Sequence, residues 1–390
     1  MRHHPRWFGV HRWLGLVLGL WFALVGLTGS VLAFEEPIDA WLNPSLLVAR
    51  EHGPALPLRA IVERARELGH VERIRPPAAE GEVYRLLVRT QPLRRVGVQR
   101  VEAMLDPASG ALLGTRSAEA LGLSPPLLMQ TLYEFHRNVL LGNAGSNIVG
   151  IAGTLLFICA LSGLVLAWPT HGQHWRRLLK VNWRASLTRI AFDTHRAAGA
   201  LTALLLVLAT LTGLTLVYVN YVRDAVNLVS RVESFPTIPW RTTTGDPAAL
   251  DTLVQAVRKA HPDALIREIR VPAGQLSGYQ FFLQRPGDAY RLGDTIVWAH
   301  PVSAEILVER SERTRTAGET FMHWLFPLHS GTAFGTGGMV AMSVAGVAPL
   351  VLVLTGLWVW LRKRPGERLA AQRARQRGRT QQSSNSPRTR

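Results

Sequence analysis

Residues 8–34 read FGVHRWLGLVLGLWFALVGLTGSVLAF. A helix needs about 20 largely apolar residues to cross the hydrocarbon of a bilayer, and this run supplies 27 with ionisable side chains only at His11 and Arg12. It reads as a membrane span. Arg2 and Arg6 precede it and Val31-Leu32-Ala33 is a passable cleavage site, but the run is much longer than the apolar core of a signal peptide. An uncleaved anchor is expected. Residues 148–168, 197–219 and 338–361 give three more runs of the same kind.

The expected map is therefore an N-terminus and first span (1–34), a polar module (35–144) and a second span (145–168). A basic loop (169–194), a third span (195–220), a second polar module (221–336), a fourth span (337–361) and a tail (362–390) follow. The fold class is a mainly α membrane protein with four transmembrane helices and two small α+β modules. The tail is rich in Arg, Gln and Ser; such a composition cannot bury a core, so disorder near anionic lipid is expected.

The net charge of +17 raises the possibility of nucleic-acid binding. Its distribution removes it. In 35–144 thirteen Arg meet thirteen Asp and Glu, and in 221–336 twelve basic residues meet twelve acidic ones. The whole excess lies in the N-terminus, the 169–196 connection and the tail, all on one side of a four-span topology. Positive-inside makes that side cytoplasmic, with both termini there and both modules outside, which in a bacterium is the periplasm. One cysteine, Cys159, excludes an internal disulfide, a Cys₄ zinc site, a cysteine-held iron–sulfur cluster and covalent C-x-x-C-H haem attachment.

The chain repeats itself. His11-Arg12-x-x-Gly15 recurs as His195-Arg196-x-x-Gly199, and His136 with Gly142 recurs as His329 with Gly335. Asp106-Pro107-Ala108-Ser109-Gly110 recurs as His300-Pro301-Val302-Ser303-Ala304, and the amphipathic run 58–68 recurs at 250–260. The unit is span, module, span, used twice. Within each module the spacing predicts one helix (Ile61, Val62, Ala65, Leu68, stopped by Gly69; Leu253, Val254, Val257) and then strands over 84–89 and 101–105, and over 279–283 and 295–298. Neither module carries a nucleophile, metal or phosphate motif, so binding or spacing suits it better than catalysis.

Chemistry then falls to the thirteen histidines. His11 and His195 stand at the cytoplasmic ends of spans one and three; His136 and His329 stand at the outer approaches to spans two and four. Imidazole at a membrane boundary is costly unless bonded, and two histidines from different helices can clamp a haem iron from both faces. Membrane side pairs His11 with His195 and His136 with His329. Arg12, Arg196 and Arg137 each follow a candidate ligand and suit haem propionates; Gly15, Gly26, Gly29, Gly199 and Gly213 permit close approach of helices or of a flat ring. His323, six residues before His329 with Pro327 between, is the second choice in span four or a proton-donating neighbour. His171 and His174 read as solvated loop, and His3, His4, His52, His70, His261 and His300 lack a repeated membrane-boundary setting.

The motif His11-Arg12-Trp13-Leu14-Gly15-Leu16, the 163–169 end of span two, His195-Arg196-x-x-Gly199, and Trp324-x-x-Pro327-Leu328-His329-Ser330-Gly331-x-x-x-Gly335 together resemble the PepSY-associated transmembrane family. That family consists of iron-regulated inner-membrane proteins and includes ferric-siderophore reductases of the FoxB type. The resemblance covers nearly everything before the tail. It implies two b-type haems, two PepSY-like modules, and electrons passed to a ferric siderophore in the periplasm. Two departures stand out: Ala197-Ala198 replaces Trp13-Leu14, and Ala304 replaces the glycine of the second module's turn. No G-x-G-x-x-G follows a strand, so the electron donor is expected to be a separate cytoplasmic protein or quinol. Two other classes remain open: a quinol-linked di-haem cytochrome without a siderophore role, and a non-enzymatic membrane-tethered regulator of a peptidase or envelope protein.

Overall fold

The structure, a computed structural model, describes residues 5–90, 99–168, 176–233, 249–272 and 278–384. His3, His4, His171 and His174 lie outside the described residues. The first half of the chain runs α1 (Pro5–Leu32), α2 (Glu35–Leu42), α3 (Pro44–Leu47), α4 (Leu58–Arg66), then β1 (Gly69–Arg75), β2 (Tyr84–Thr90), β3 (Arg100–Leu105) and β4 (Leu112–Ser117), then α5 (Pro125–Asn138) and α6 (Gly142–Ala167). After the short α7 (Arg176–Leu179), the second half runs α8 (Leu187–Val217), α9 (Val219–Asn227) and α10 (Leu250–Ala260). Strands β5 (Leu265–Arg270), β6 (Tyr279–Gln284), β7 (Thr295–Ala299) and β8 (Ile306–Arg310) come next, and α11 (Ala317–Ser330) and α12 (Gly335–Ser384) close the chain.

This is a membrane protein. Four stretches are long and apolar enough to span, Arg6–Leu32, Gly142–Ala167, Leu187–Val217 and Thr332–Lys363, the last three longer than the runs that mark them in the sequence. Helix α12 also continues to Ser384, where disorder from 362 is expected. The segment past Leu361 is rich in Arg, Ala and Gln, all strong helix formers, and a helix already nucleated extends at little cost. The four expected strands all form, and each module gains two more, β1 and β4 in the first and β5 and β8 in the second.

Two compact units divide the chain: Met1–Leu27, Ile151–Leu211 and Val344–Arg390 in one, Thr28–Gly150 and Thr212–Ser343 in the other. The first is helical. Within it α1 and α12 touch backbone to backbone, because any Cβ on Gly26 would strike the carbonyl oxygen of Gly346, and a Cβ on Gly19 would lie 2.6 Å from Val353. Small residues make such close packing of membrane helices possible.

The second unit holds a single antiparallel sheet of eight strands in the order β4-β3-β2-β1-β5-β6-β7-β8. The two modules are thus one sheet. They join where β1 meets β5, with Arg73 opposite Arg270 and Ile74 opposite Ile269. Strand side chains alternate between faces, and one face buries Ile74, Leu86, Val88, Ile269, Phe281 and Val297 under α4 (Ile61, Val62, Ala65) and α10 (Leu253, Val257). Each large side chain so buried contributes roughly 1.5–3 kcal/mol.

The turn after β3 is held by Asp106, whose carboxylate accepts N–H groups from Arg50, Glu51, Ala108 and Ser109 at 2.8–3.2 Å, with Gly110 at φ 68°. In the turn after β7 His300 Nδ1 accepts from the N–H groups of Val302 and Ser303, and Ala304 sits at φ 58°. The turn survives the loss of its glycine, although a non-glycine residue there costs roughly 1–2 kcal/mol.

On the other face Glu102 bridges Arg85 (2.8 Å) and Arg116 (2.7 Å), and Arg116 also pairs with Asp39 at 2.9 Å. Burial works to raise the Glu102 pKa, but the two guanidinia overcome it and hold the carboxyl at about 2, below its ordinary 4.5. Burial likewise opposes the four N–H donors of Asp106, which win and hold it at about 2 against 3.8. A carboxylate with a depressed folded pKa stabilises fully above its unfolded pKa and loses that contribution as pH falls through the folded value. The sheet unit should therefore lose stability as pH drops from about 4.5 toward 2, by an order of 3 kcal/mol for Glu102 alone. Thermal unfolding followed by circular dichroism should show this slope flattened in Glu102→Gln; an unchanged slope would remove the assignment.

Candidate functional site: two facing histidine pairs

Within the helical unit, His11 of α1 and His195 of α8 face each other with ring centres 6.1 Å apart and planes 85° apart. In the sheet-bearing unit, His136 of α5 and His329 of α11 face each other with ring centres also 6.1 Å apart and planes at 51°. Two imidazoles bound to one metal ion have a metal–nitrogen bond of about 2 Å each and a further 1 Å or so from nitrogen to ring centre, which places the centres roughly 6 Å apart. Both pairs have that spacing. Among the described residues no three or more His, Cys, Asp or Glu converge on one point.

The rings of the first pair are held in one tautomer. His11 Nδ1 donates to the Cys159 carbonyl at 3.0 Å, and His195 Nδ1 donates to the Leu352 carbonyl at 2.9 Å. A carbonyl can only accept, so Nδ1 carries the proton and Nε2 keeps its lone pair, the form that binds a metal. Ser162 Oγ lies 3.3 Å from His11 Nδ1 and Thr355 Oγ1 lies 3.1 Å from His195 Nδ1. Each of those hydroxyls donates back along its own helix, to Cys159 and Val351 respectively, leaving oxygen lone pairs toward the ring. In the second pair Thr28 Oγ1 is bonded to His136 Nδ1 and Thr212 Oγ1 to His329 Nδ1, both at 3.1 Å.

Beside each hydroxyl stands a glycine against which the ring rests. A Cβ would lie 2.9 Å from His11 Cε1 at Gly163, 3.2 Å from His195 Cε1 at Gly356, 2.9 Å from His136 Cε1 at Gly29 and 3.0 Å from His329 Cε1 at Gly213. The four seats share one sequence signature, once per span: Leu27-Thr28-Gly29, Leu161-Ser162-Gly163, Leu211-Thr212-Gly213 and Leu354-Thr355-Gly356. Sequence reading picks out some of these glycines as small residues and passes over the hydroxyl before each. The fourfold tripeptide is the signal that finds them.

The three arginines differ. The guanidinium of Arg12 lies over the rings of Phe8 and Trp13, and its Nε is buried without a hydrogen-bond partner. Arg196 donates to the Leu178 and Lys180 carbonyls and pairs with the buried Asp193 at 3.2 Å, so it fixes the connection before α8. Arg137 pairs with Glu134 at 3.1 Å and covers Tyr133. His323 is turned to other partners: its Nε2 meets Asp294 Oδ1 at 2.8 Å, and its ring lies against Tyr290 with centres 4.6 Å apart and planes tilted by 39°. Of the two candidates in this region, His329 is the one opposite His136.

The donor chemistry of these residues fits a haem held by two histidines. Each pair offers two imidazoles at bis-ligand spacing, glycines where a side chain would crowd the rings, and, beside His11, an orphaned buried cationic donor suited to a propionate. The family model described as the PepSY-associated TM region matches residues 8–363. Comparison with curated proteins finds no significant match.

Proposed function

The chain belongs to the family of the PepSY-associated TM region, and from that membership and the two histidine pairs we propose that it is a di-haem b electron-transfer protein of the bacterial inner membrane. On this reading it is built as two copies of span, module and span, with both termini cytoplasmic and the sheet in the periplasm. It reduces a ferric siderophore there and releases Fe(II) for iron acquisition. The observation that carries the reading is the 6.1 Å separation of ring centres in both pairs.

A haem iron held between two imidazoles is a six-coordinate carrier of single electrons. The protein's own part is positional. Cys159 and Leu352 carbonyls fix the tautomer of one pair, hydroxyls at Thr28 and Thr212 orient the other, and the glycine seats leave room for each ring where a Cβ would crowd it. Arg12 would take one propionate. Reduction favours release because hard oxygen donors hold Fe(II) less tightly than Fe(III). The sequence carries no nucleotide-binding fingerprint, and the electron donor is a separate cytoplasmic protein or quinol.

Purified protein from haem-replete cells should be red, with low-spin b-type haem at two per chain, fully extracted by acid acetone because no cysteine holds it. Dithionite-reduced protein should be reoxidised by a ferric siderophore. A colourless preparation sinks the electron-transfer reading and favours the membrane-tethered regulator; a red one indifferent to ferric chelates favours the quinol-linked cytochrome.

A further inference from the structure

The seam between the two modules carries an unbalanced cluster of arginines. Ile74 and Ile269 face the α4–α10 core, so their neighbours Arg73, Arg75, Glu268 and Arg270 project from the opposite face. Glu268 is fully buried and takes three guanidinia, Arg270 at 2.7 Å, Arg75 at 2.9 Å and Arg73 at 3.5 Å. One strand away, Glu72 takes Arg100 at 2.8 Å and Arg89 at 3.0 Å. Five guanidinia thus share three carboxylates, Glu268, Glu72 and, through Arg100 Nη1 at 3.5 Å, Glu119. All five reach Glu268 or Glu72 through Nε, and the terminal nitrogens of Arg73, Arg75 and Arg270 make no hydrogen bond among the described residues. The same face shows what a purely structural cluster looks like: Arg85 and Arg116 are matched by Glu102 and Asp39 and are only 23% and 11% exposed. The seam arginines keep 34–49% of their side-chain surface.

The excess is gathered around a depression. His70, Arg73, Arg89, Arg100, Arg270 and Gln280 line it, with Glu72 as its single carboxylate among the described residues. Its apolar lining is Leu87, Val271 and Pro272, and among the described residues no Phe, Tyr or Trp lines it. Forked guanidinium donors match carboxylate oxygens two by two, and a concave surface of one sign concentrates ligands of the other. We propose that this seam is a binding site for a multiply charged oxyanion, and that the ferric siderophore it takes is an anionic polycarboxylate chelate. The ferric half of that statement rests on the reductase reading; the anion half does not.

Gallium(III) citrate has the charge and shape of a ferric polycarboxylate and cannot be reduced by haem, so it tests the site apart from the chemistry. Titrated calorimetrically into the haem-loaded full chain in detergent, it should bind, more weakly as salt rises. The double variant Arg73→Gln/Arg270→Gln should weaken binding roughly tenfold or more, two charge-assisted contacts being lost, while haem absorbance stays put; its melting temperature should fall, because the buried Glu268 keeps only Arg75. Should that variant misfold, Arg89→Gln/Arg100→Gln on the other rim must show the same loss. A cationic gallium trihydroxamate should not bind. Absence of citrate binding, binding in both double variants as tight as in the unaltered chain, or displacement by phosphatidylglycerol in a nanodisc would each overturn the proposal, the last by assigning the arginines to lipid. A red, chelate-reducing protein that ignores gallium citrate leaves the reductase reading standing and removes only this one.

Discussion

Replacing His195 with alanine should leave a protein with about one haem per chain. His195 and His11 face each other across 6.1 Å and belong to one compact unit, while His136 and His329 belong to the other. Removing one axial imidazole therefore acts on one site. The haem that remains should keep its low-spin spectrum and be reduced by dithionite, yet electrons from the physiological donor should no longer reach a ferric chelate. His329→Ala should show the converse: one haem retained, still filled from the donor side, and no chelate reduction. His323→Ala is the discriminating partner. Its ring is committed to Asp294 and Tyr290, so this variant should keep both haems, with its effect confined to the rate of chelate reduction. If His323→Ala rather than His329→Ala empties a site, the pairing is wrong; two haems in every variant would place the ligands elsewhere.

The four candidate histidines stood out because the sequence repeats a histidine beside each pair of apolar runs, and the structure sets His11 opposite His195 and His136 opposite His329. The choice of His329 over His323 also follows from the repeat, which aligns His136 with His329. Other features were not legible, for identifiable reasons. Edge strands β4 and β8 have burial patterns with no fully buried residue, so the period-two signal that marks β2 is missing from them. The seam joins Ile74 to Ile269, residues 195 apart, and no local pattern announces such a pairing. Ala304 stands where the first module's turn has glycine; the chain accepts the left-handed conformation there, and His300 Nδ1 takes the N–H groups of Val302 and Ser303 as Asp106 takes those of Ala108 and Ser109. The seats were visible in principle. Leu-Ser/Thr-Gly is unremarkable in any one span, and only its return in all four gives it meaning.

Gly163→Val and Gly29→Val should each abolish one haem and spare the other, although neither glycine could touch iron. A Cβ at Gly163 would stand 2.9 Å from His11 Cε1, and one at Gly29 would stand 2.9 Å from His136 Cε1. Real carbon atoms do not approach so closely, and valine adds two methyl groups whose rotamer is nearly fixed in a helix. The imidazole must swing away, which breaks its bond to the Cys159 carbonyl or to Thr28 Oγ1 and carries Nε2 off the line to its partner. Misplacing a metal ligand's supporting contacts typically costs 10–100-fold in affinity, by analogy with metal sites, and displacing the ligand itself costs more. Helix propensity cannot account for such a loss, because valine is the better helix former of the two. Gly337→Val serves as the control: nothing lies within 4 Å of a Cβ at that position, and both haems should stay. Haem per chain, read by pyridine haemochrome on protein of unchanged helical content, decides the matter. Full occupancy in both seat variants would mean that the rings do not rest on these glycines when haem is bound. Selective loss, with Gly163→Val matching His195→Ala and Gly29→Val matching His329→Ala, would tie each histidine to the span that supports it.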